Sequence, residues 1–295
     1  MQNDLPPQTR TRRLHDYFIT LGFALKHGGS LSAGMNLFYL AKLKTGLVYR
    51  NLARFNTEKV CCLPFRVTAG KTWNVHVRDN GQDAPMLVEF FDNDRLAEME
   101  RLKWKPKVIY DLGANIGIAS LSLAALCPDA RIYGFEPVPA NFEICSLNYS
   151  NLANAEVFNC AVGSASGTMS FEITNDPRGG HLATNTSTGI DKKMEVGVWT
   201  IADLVEIKGL PPPDFLKVDV EGAELDVLNG LATYANGIKY MHIETHSTEL
   251  RNECVRWLDL NGFKIEEEFH FAGNLGALWV SRLETDLSAR PYSGD

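Results

Sequence analysis

From residue 107 onward the chain settles into a regular rhythm of short apolar runs and amphipathic segments. Near-continuous apolar stretches recur at VIYDL (108–112), RIYGFE (131–136), AEVFNCAV (155–162), DFLKVDV (214–220) and IKYMHIETH (238–246). Helical patterns fall between them, near 115–127, 139–149, 200–206 and 222–232. Apolar strands alternating with helices predict a parallel sheet covered on both faces. The ending breaks the rhythm. After a helix over 249–261, KIEEEFHF (264–271) and ALWVSRL (277–283) are separated only by AGNLG. A parallel crossover needs a dozen residues or more, so this pair must be an antiparallel hairpin.

Upstream the pattern is looser. Residues 1–12 are polar and contain proline, which predicts a disordered start. Residues 13–55 read as two helices broken near His27-Gly28-Gly29-Ser30. The second carries Leu37, Leu40, Leu43, Leu47 and Val48 on one side, with Lys42 and Lys44 nearby. Such a helix is either a cap packed on the main domain or a basic amphipathic surface for a membrane or partner enzyme. WNVHVR (73–78) alternates strictly, DNG (79–81) signals a turn, and PMLVEFF (85–91) reads as the second strand of a hairpin. A helix around 93–103 follows. The expected division is an extension over 1–92, an α/β domain over 93–284 and a tail over 285–295.

Composition narrows the class only slightly. The 295 residues are 45% hydrophobic and carry a net charge of −7, which disfavours a general nucleic-acid binder. Charge is uneven, since residues 1–60 hold nine Lys/Arg against three Asp/Glu. The six cysteines show no CxxC pair, and Cys127, Cys145 and Cys254 sit in apolar helical patterns as expected buried thiols. No signal sequence is read, and no apolar run approaches the ~18 residues that span a bilayer. A reducing cytoplasm is the expected setting.

Candidate chemistry gathers at strand ends. Asp111 closes the first strand, and Gly113 and Gly117 flank Ala114, Asn115 and Ile116. Glycines there let backbone approach a ligand, and the next helix offers free N–H groups. Glu136, ending the second strand, is placed to grip two ribose hydroxyls. A dinucleotide fingerprint would read G-x-G-x-x-G. Here a side chain at Asn115 is allowed, and Asp111 can take a cationic amino group, so S-adenosylmethionine (SAM) is favoured over NAD. In DFLKVDVEGAE, period-two alternation puts Lys217, Asp219 and Glu221 on one side. Lys217 is expected to neutralise a neighbouring carboxylate. Asp219 would contact the cofactor or help remove a substrate proton, and Glu221 is the first candidate for a base. Glu224 reads equally as a first-turn helix charge. HIETH offers His242, Glu244 and His246, but ligands two apart on one strand spread over ~13 Å end to end, so one ion cannot take all three. A metal would need Asp219 or Glu221 as well, and none is assigned. Glu244 and His246 are expected to line the acceptor pocket, with His242 deeper in the sheet. The insert 163–199 carries strand-like GTMSFEI (167–173) and KMEVGVWTI (193–201) around a polar loop, a candidate lid in which Arg178 and His181 would meet a polar acceptor.

Four blocks in order, DLGANIGIASL (111–121), GFEPVPANFE (134–143), DFLKVDVEGAELDVLNG (214–230) and HIETH (242–246), closely resemble the FkbM family of SAM-dependent O-methyltransferases. The resemblance spans roughly residues 90–282. It implies the class I methyltransferase fold, a Rossmann-like doubly wound sheet that is mostly parallel and ends in an antiparallel hairpin. It also implies a pocket in which Asp111, Gly113, Ala114, Asn115 and Gly117 lie beneath the methionine portion. Glu136 would hold the ribose, with Pro137 beside it and Asn141 opening the following helix, and Asn159 to Ala161 would lie along the adenine. The implied activity is methyl transfer to a hydroxyl of a small molecule or glycan, most simply a sugar. A non-catalytic binding protein of the same fold and an NAD-dependent oxidoreductase are the competing expectations.

Overall fold

The computed structural model describes residues 25–27, 59–66, 71–80, 83, 86–87, 90, 99, 104–173, 180–182, 192–270 and 275–283. Its centre is a seven-stranded sheet. The strands are β3 (Val108–Leu112), β4 (Arg131–Phe135), β5 (Ala155–Phe158), β10 (Phe215–Val218), β11 (Tyr240–Thr245), β12 (Phe263–His270) and β13 (Gly276–Arg282), in spatial order β12-β13-β11-β10-β3-β4-β5. β5, β4, β3, β10 and β11 run parallel, whereas β13 is antiparallel to both β11 and β12. The chain runs outward from β3 through β4 to β5, then returns to β10 on the other side of β3. That reversal opens a crevice at the carboxyl ends of β3 and β10, where open α/β sheets bind ligands.

Both faces of the sheet are covered, which explains why its strands are apolar at nearly every position. On one face Leu112, Phe135, Leu216, Val218 and Ile243 pack with Val227, Leu228 and Leu258 of the helices α4 (Glu224–Asn229) and α5 (Thr248–Leu260). On the other, Ile109, Ile132 and Phe215 pack with Leu123 and Cys145 of α1 (Ile118–Leu126) and α2 (Pro139–Tyr149). Local chemistry sets the helix starts. Pro139 occupies the first turn of α2, where its missing N–H costs nothing. Thr200 caps α3 (Ile201–Glu206) and Ser247 caps α5, each accepting a backbone N–H three residues on.

Three expectations change. The run 155–162 is not one strand: β6 (Ala161–Val162) leaves the main sheet and pairs in parallel with β9 (Lys192–Trp199). With β7 (Gly167–Ile173) and β8 (Gly180–Leu182) it builds a second sheet, ordered β6-β9-β7-β8. The helix expected over 222–232 is shortened to α4, followed by a 3-10 turn at Ala232–Gly237. Its start is delayed because Glu221 and Gly222 adopt φ of 52° and 104°, which no right-handed helix accommodates. Finally, the partner of 73–78 is not 85–91. β2 (Thr72–Arg78) pairs antiparallel with β1 (Val60–Arg66), and Asp83, Met86, Leu87 and Phe90 are helical. Asn80 accepts the Asp83 N–H at 3.0 Å, a capping bond that starts a helix where alternation alone suggests a strand.

The hairpin shares a core with the α/β domain. Leu63, Phe65, Val75 and Val77 pack with Ile116, Ile118, Leu121 and Ile144, so the expected boundary at 92/93 cuts through one hydrophobic cluster. Asn148 of α2, fully buried, bridges the two through His76 and Ile116. The expected helices over 13–55 and 93–103 fall almost entirely outside the described residues, and none of the described helices is long and apolar enough to cross a membrane.

Candidate active site

The turn after β3 is fixed by its neighbours. Gly113 has φ of 77°, and a Cβ on it would lie 1.8 Å from the Asp219 carbonyl oxygen, so no other residue fits between the two strand ends. Gly113 and Ala114 both donate to the Phe135 carbonyl at 3.0 Å. Asn115 also takes a left-handed φ of 50°. Gly117 begins α1, and a Cβ there would press on Cys145 and Tyr149 at 3.1–3.2 Å. Its left-handed φ of 85° and this packing together account for that glycine.

Glu136 stands at the carboxyl end of β4, 4% exposed. It accepts the Asn115 N–H at 2.8 Å and the Val138 N–H at 2.9 Å. A carboxylate offers about four acceptor positions, and the Asn141 amide, at 3.5 Å, takes a third and leaves one for a further donor. Burial pushes its pKa up to about 7, against the lowering effect of those hydrogen bonds. Beside it, the Asn115 Oδ1 is buried with no donor directed to it. A ligand with a hydroxyl and an amino group would satisfy both, and SAM carries such donors.

Asn141 does not cap α2, which begins after Val138. Its buried side chain lies 3.5 Å from Glu136 and accepts from Arg78 at 2.8 Å. Arg78 in turn pairs with the buried Asp83 through Nε at 2.9 Å and Nη2 at 2.9 Å. The hairpin thus reaches the pocket through Arg78, Asn141 and Glu136. The Asn159 amide clamps the loop after β4 by donating to the carbonyls of Glu136 and Pro137 at 2.8 and 3.1 Å. Ala161 is buried at the start of β6.

Asp111 lies behind the turn after β3. Its side chain is fully enclosed, Oδ2 accepts from Ser120 at 2.6 Å, and Lys217 Nζ sits 3.3 Å from Oδ1. Enclosed behind the turn, it supports the turn from below, and its Oδ1 accepts no hydrogen bond. Lys217 also donates to the Gly113 carbonyl at 3.1 Å and lies 3.3 Å from Asp219 Oδ2. Burial works against the lysine charge, but Asp111, Asp219 and Glu244 hold its pKa above the usual value.

Beyond the turn, three residues from two strand ends converge. His246, just past β11, brings Nε2 to 3.6 Å from Asp219 Oδ1 and 3.3 Å from Glu221 Oε2. Its Nδ1 lies 2.8 Å from Glu224 Oε1, on a side chain that is fully buried. Burial works against the charged ring, yet Glu224, Asp219 and Glu221 outweigh it and push His246 up to about 9. Glu221 is pushed up to about 7, by burial first and then by Asp219. Glu244 is 7% exposed, and its charge bears on both Lys217 and Glu221. His242 packs deep in the sheet against Trp279, 5.0 Å between rings. In the insert, His181 pairs with Glu172 across β8 and β7, and Arg178 lies outside the described residues.

Sequence reasoning misses Arg78, Asp83, Ser120, Asn148 and Tyr149. Only Asp83 leaves a trace, three residues after Asn80 in a capping pattern. Tyr149 explains Gly134, where a Cβ would lie 2.1 Å from the tyrosine oxygen.

Comparison with known proteins agrees with the geometry. The chain is 30% identical over 174 residues to the hexuronic acid methyltransferase AglP of Haloferax volcanii, covering 55% of this chain and 68% of that protein. It is 27% identical over 158 residues to the 2-O-methyltransferase NoeI of Sinorhizobium fredii, covering 48% and 65%. To the 31-O-demethyl-FK506 methyltransferase FkbM of Streptomyces tacrolimicus it is 24% identical over 229 residues, covering 66% and 88%. Residues 111–269, more than half of the chain, match the methyltransferase FkbM domain. The protein belongs to the FkbM methyltransferase family and is a SAM-dependent methyltransferase.

Proposed function

We propose that the protein transfers a methyl group to a hydroxyl of a sugar, with the acceptor seated against Asp219, Glu221 and His246. The observation that carries this reading is the convergence of those three side chains at the same sheet edge as the turn at Gly113. SAM supplies a methyl on a sulfonium, the C–S bond breaking as the C–O bond forms and the electron pair leaving with sulfur. Glu136 and Asn115 hold the cofactor through its ribose and amino groups, with Gly113, Ala114 and Gly117 shaping the turn and Pro137, Asn141, Asn159 and Ala161 shaping the adenine side. Asp111 acts through Lys217 by holding that turn in place. Glu221, about a third exposed at its side chain, takes the hydroxyl proton. Asp219 orients it from the end of β10. Glu244 keeps the surroundings anionic, and Arg178 and His181 in the insert meet the polar parts of the acceptor.

A sugar hydroxyl is favoured because one relative is named for a hexuronic acid, and two others are named for transfer to oxygen. The basic first sixty residues are the part of the chain suited to an anionic membrane or a partner enzyme.

The test is methyl transfer from isotopically labelled SAM to a panel of neutral and acidic oligosaccharides. The expected result is labelled methyl ether on a sugar ring, with Glu221→Gln lowering kcat about 10²–10⁴-fold. Its SAM affinity should stay within about twofold, as for a residue that acts on the other substrate. Transfer to nitrogen or carbon acceptors alone, or an unchanged rate in the variant, would overturn the reading.

A further inference from the structure

We propose that Asp219 Oδ1, Glu221 Oε2 and His246 Nε2 bind a divalent cation of the Mn²⁺ type, which clamps two neighbouring oxygens of a polyhydroxylated acceptor. This rests on the methyltransferase reading above and deepens it by specifying a vicinal hydroxyl pair as the group recognised.

The donor atoms come from separate places in the chain, the end of β10, the left-handed residue after it and the end of β11, yet all lie within 4.8 Å of one another. Neighbouring strands thereby solve what one strand cannot. The spacing of Nε2 is longer than a charge-assisted hydrogen bond and close to that of ligands sharing one ion. Nε2 stands 3.3 and 3.6 Å from the two carboxylates, whereas a charge-assisted N–H···O bond closes to about 2.7–2.9 Å. Bonds of about 2.1 Å to one ion set adjacent donors about 3.0–3.4 Å apart. Two carboxylates and an imidazole are a donor set that suits Mn²⁺.

Glu224 supplies an independent observation. Its side chain is fully buried, its Oε1 lies 2.8 Å from His246 Nδ1 and accepts the Gly222 N–H at 3.0 Å, and its Oε2 is buried with no hydrogen-bond partner. A carboxylate there accepts, so Nδ1 carries the hydrogen and Nε2 is the ring atom that faces Asp219 and Glu221 and would meet an ion. A carboxylate behind a histidine is also how metal-bound imidazoles are oriented. Local charge points the same way. Asp111 and Glu244 join these three carboxylates, and the buried Lys217 lies 3.3 Å from the other oxygen of Asp219, Oδ2. With Glu221 bound through Oε2, its other oxygen still takes the hydroxyl proton.

The full chain, stripped of metal by dialysis against a chelator, would be titrated with Mn²⁺ while free Mn²⁺ is followed by electron paramagnetic resonance. SAM binding would be measured calorimetrically on the same samples. The expected result is one Mn²⁺ per chain with roughly micromolar affinity, displaced by excess Mg²⁺. Glu224→Gln should weaken it about 10- to 100-fold, and His246→Gln should abolish it, both variants still binding SAM and melting cooperatively. His270→Asn, on the exposed edge of β12, should leave it unchanged. A protein that binds SAM but takes up no Mn²⁺ would overturn the proposal and leave His246 as an imidazolium held by its carboxylates. So would Mn²⁺ binding indifferent to both Glu224→Gln and His246→Gln. Mn²⁺ binding with this variant pattern but no SAM binding would keep the cation site and remove the functional reading instead.

Discussion

Glu136 concentrates the energetics of the pocket in one side chain. A buried carboxylate pushed up from 4.5 to about 7 keeps its proton more readily in the folded chain than in the unfolded one, so its charge costs stability as pH rises through that window. Hydroxyl donors from a bound ribose favour the charged form and pull the pKa back down. SAM binding near pH 6.5 should therefore release protons, seen as a dependence of calorimetric heat on buffer ionisation enthalpy, and Glu136→Gln should remove that dependence. The same variant should bind SAM about 10- to 100-fold more weakly, as for the loss of hydrogen bonds to a charged group. That role is legible from position alone, at the end of the second apolar strand. Asp111 is the contrary case. Its place after an apolar strand is visible, but the Ser120 and Lys217 that enclose it come from a helix and from a strand about a hundred residues later. Asp111→Asn should lower thermal stability by about 3–5 kcal/mol, the usual consequence of uncoupling a buried charge pair, measured by denaturant unfolding. Direct loss of an amino-group contact would instead reduce SAM affinity with stability intact.

At the scale of elements, periodicity identifies what repeats and misses what is decided by a single contact. The five parallel strands and the closing hairpin follow from apolar runs and connection lengths, since both reflect burial on two faces. The segment 85–91 has the apolar content of a strand. The helical state of Asp83, Met86, Leu87 and Phe90 follows Asn80 capping Asp83 and Asp83 binding Arg78, contacts that no window average contains. The hairpin strand β1 escapes notice because Pro64 interrupts it, which a two-stranded sheet tolerates at an edge. These contacts carry a prediction. Arg78→Met strands Asp83, 1% exposed, and should cost about 3–5 kcal/mol of stability. Because Arg78 also holds Asn141 next to Glu136, SAM affinity should fall too. A variant that loses stability while binding SAM normally would separate the hairpin from the pocket.

Over the whole molecule, the sheet order explains why residues from four separate blocks of sequence meet. The turn after β3, Glu136 after β4, Asp219 after β10 and His246 after β11 all face one edge because those strands are parallel. The reversal between β3 and β10 opens the crevice between them. The blocks and their order are visible in the sequence, and with them the cofactor. The meeting of Asp219, Glu221 and His246 is not, because alternation along one strand spreads ligands apart whereas neighbouring strands bring them together. The central claim is a SAM-dependent enzyme whose cofactor and acceptor sides are separable, and calorimetric titration with SAM across wild type, Glu136→Gln and Glu221→Gln tests it most directly. The account predicts roughly micromolar binding by the wild type, similar binding by Glu221→Gln, and binding at least about tenfold weaker by Glu136→Gln. Absence of SAM binding by the wild-type protein, or equal weakening by both substitutions, would contradict it.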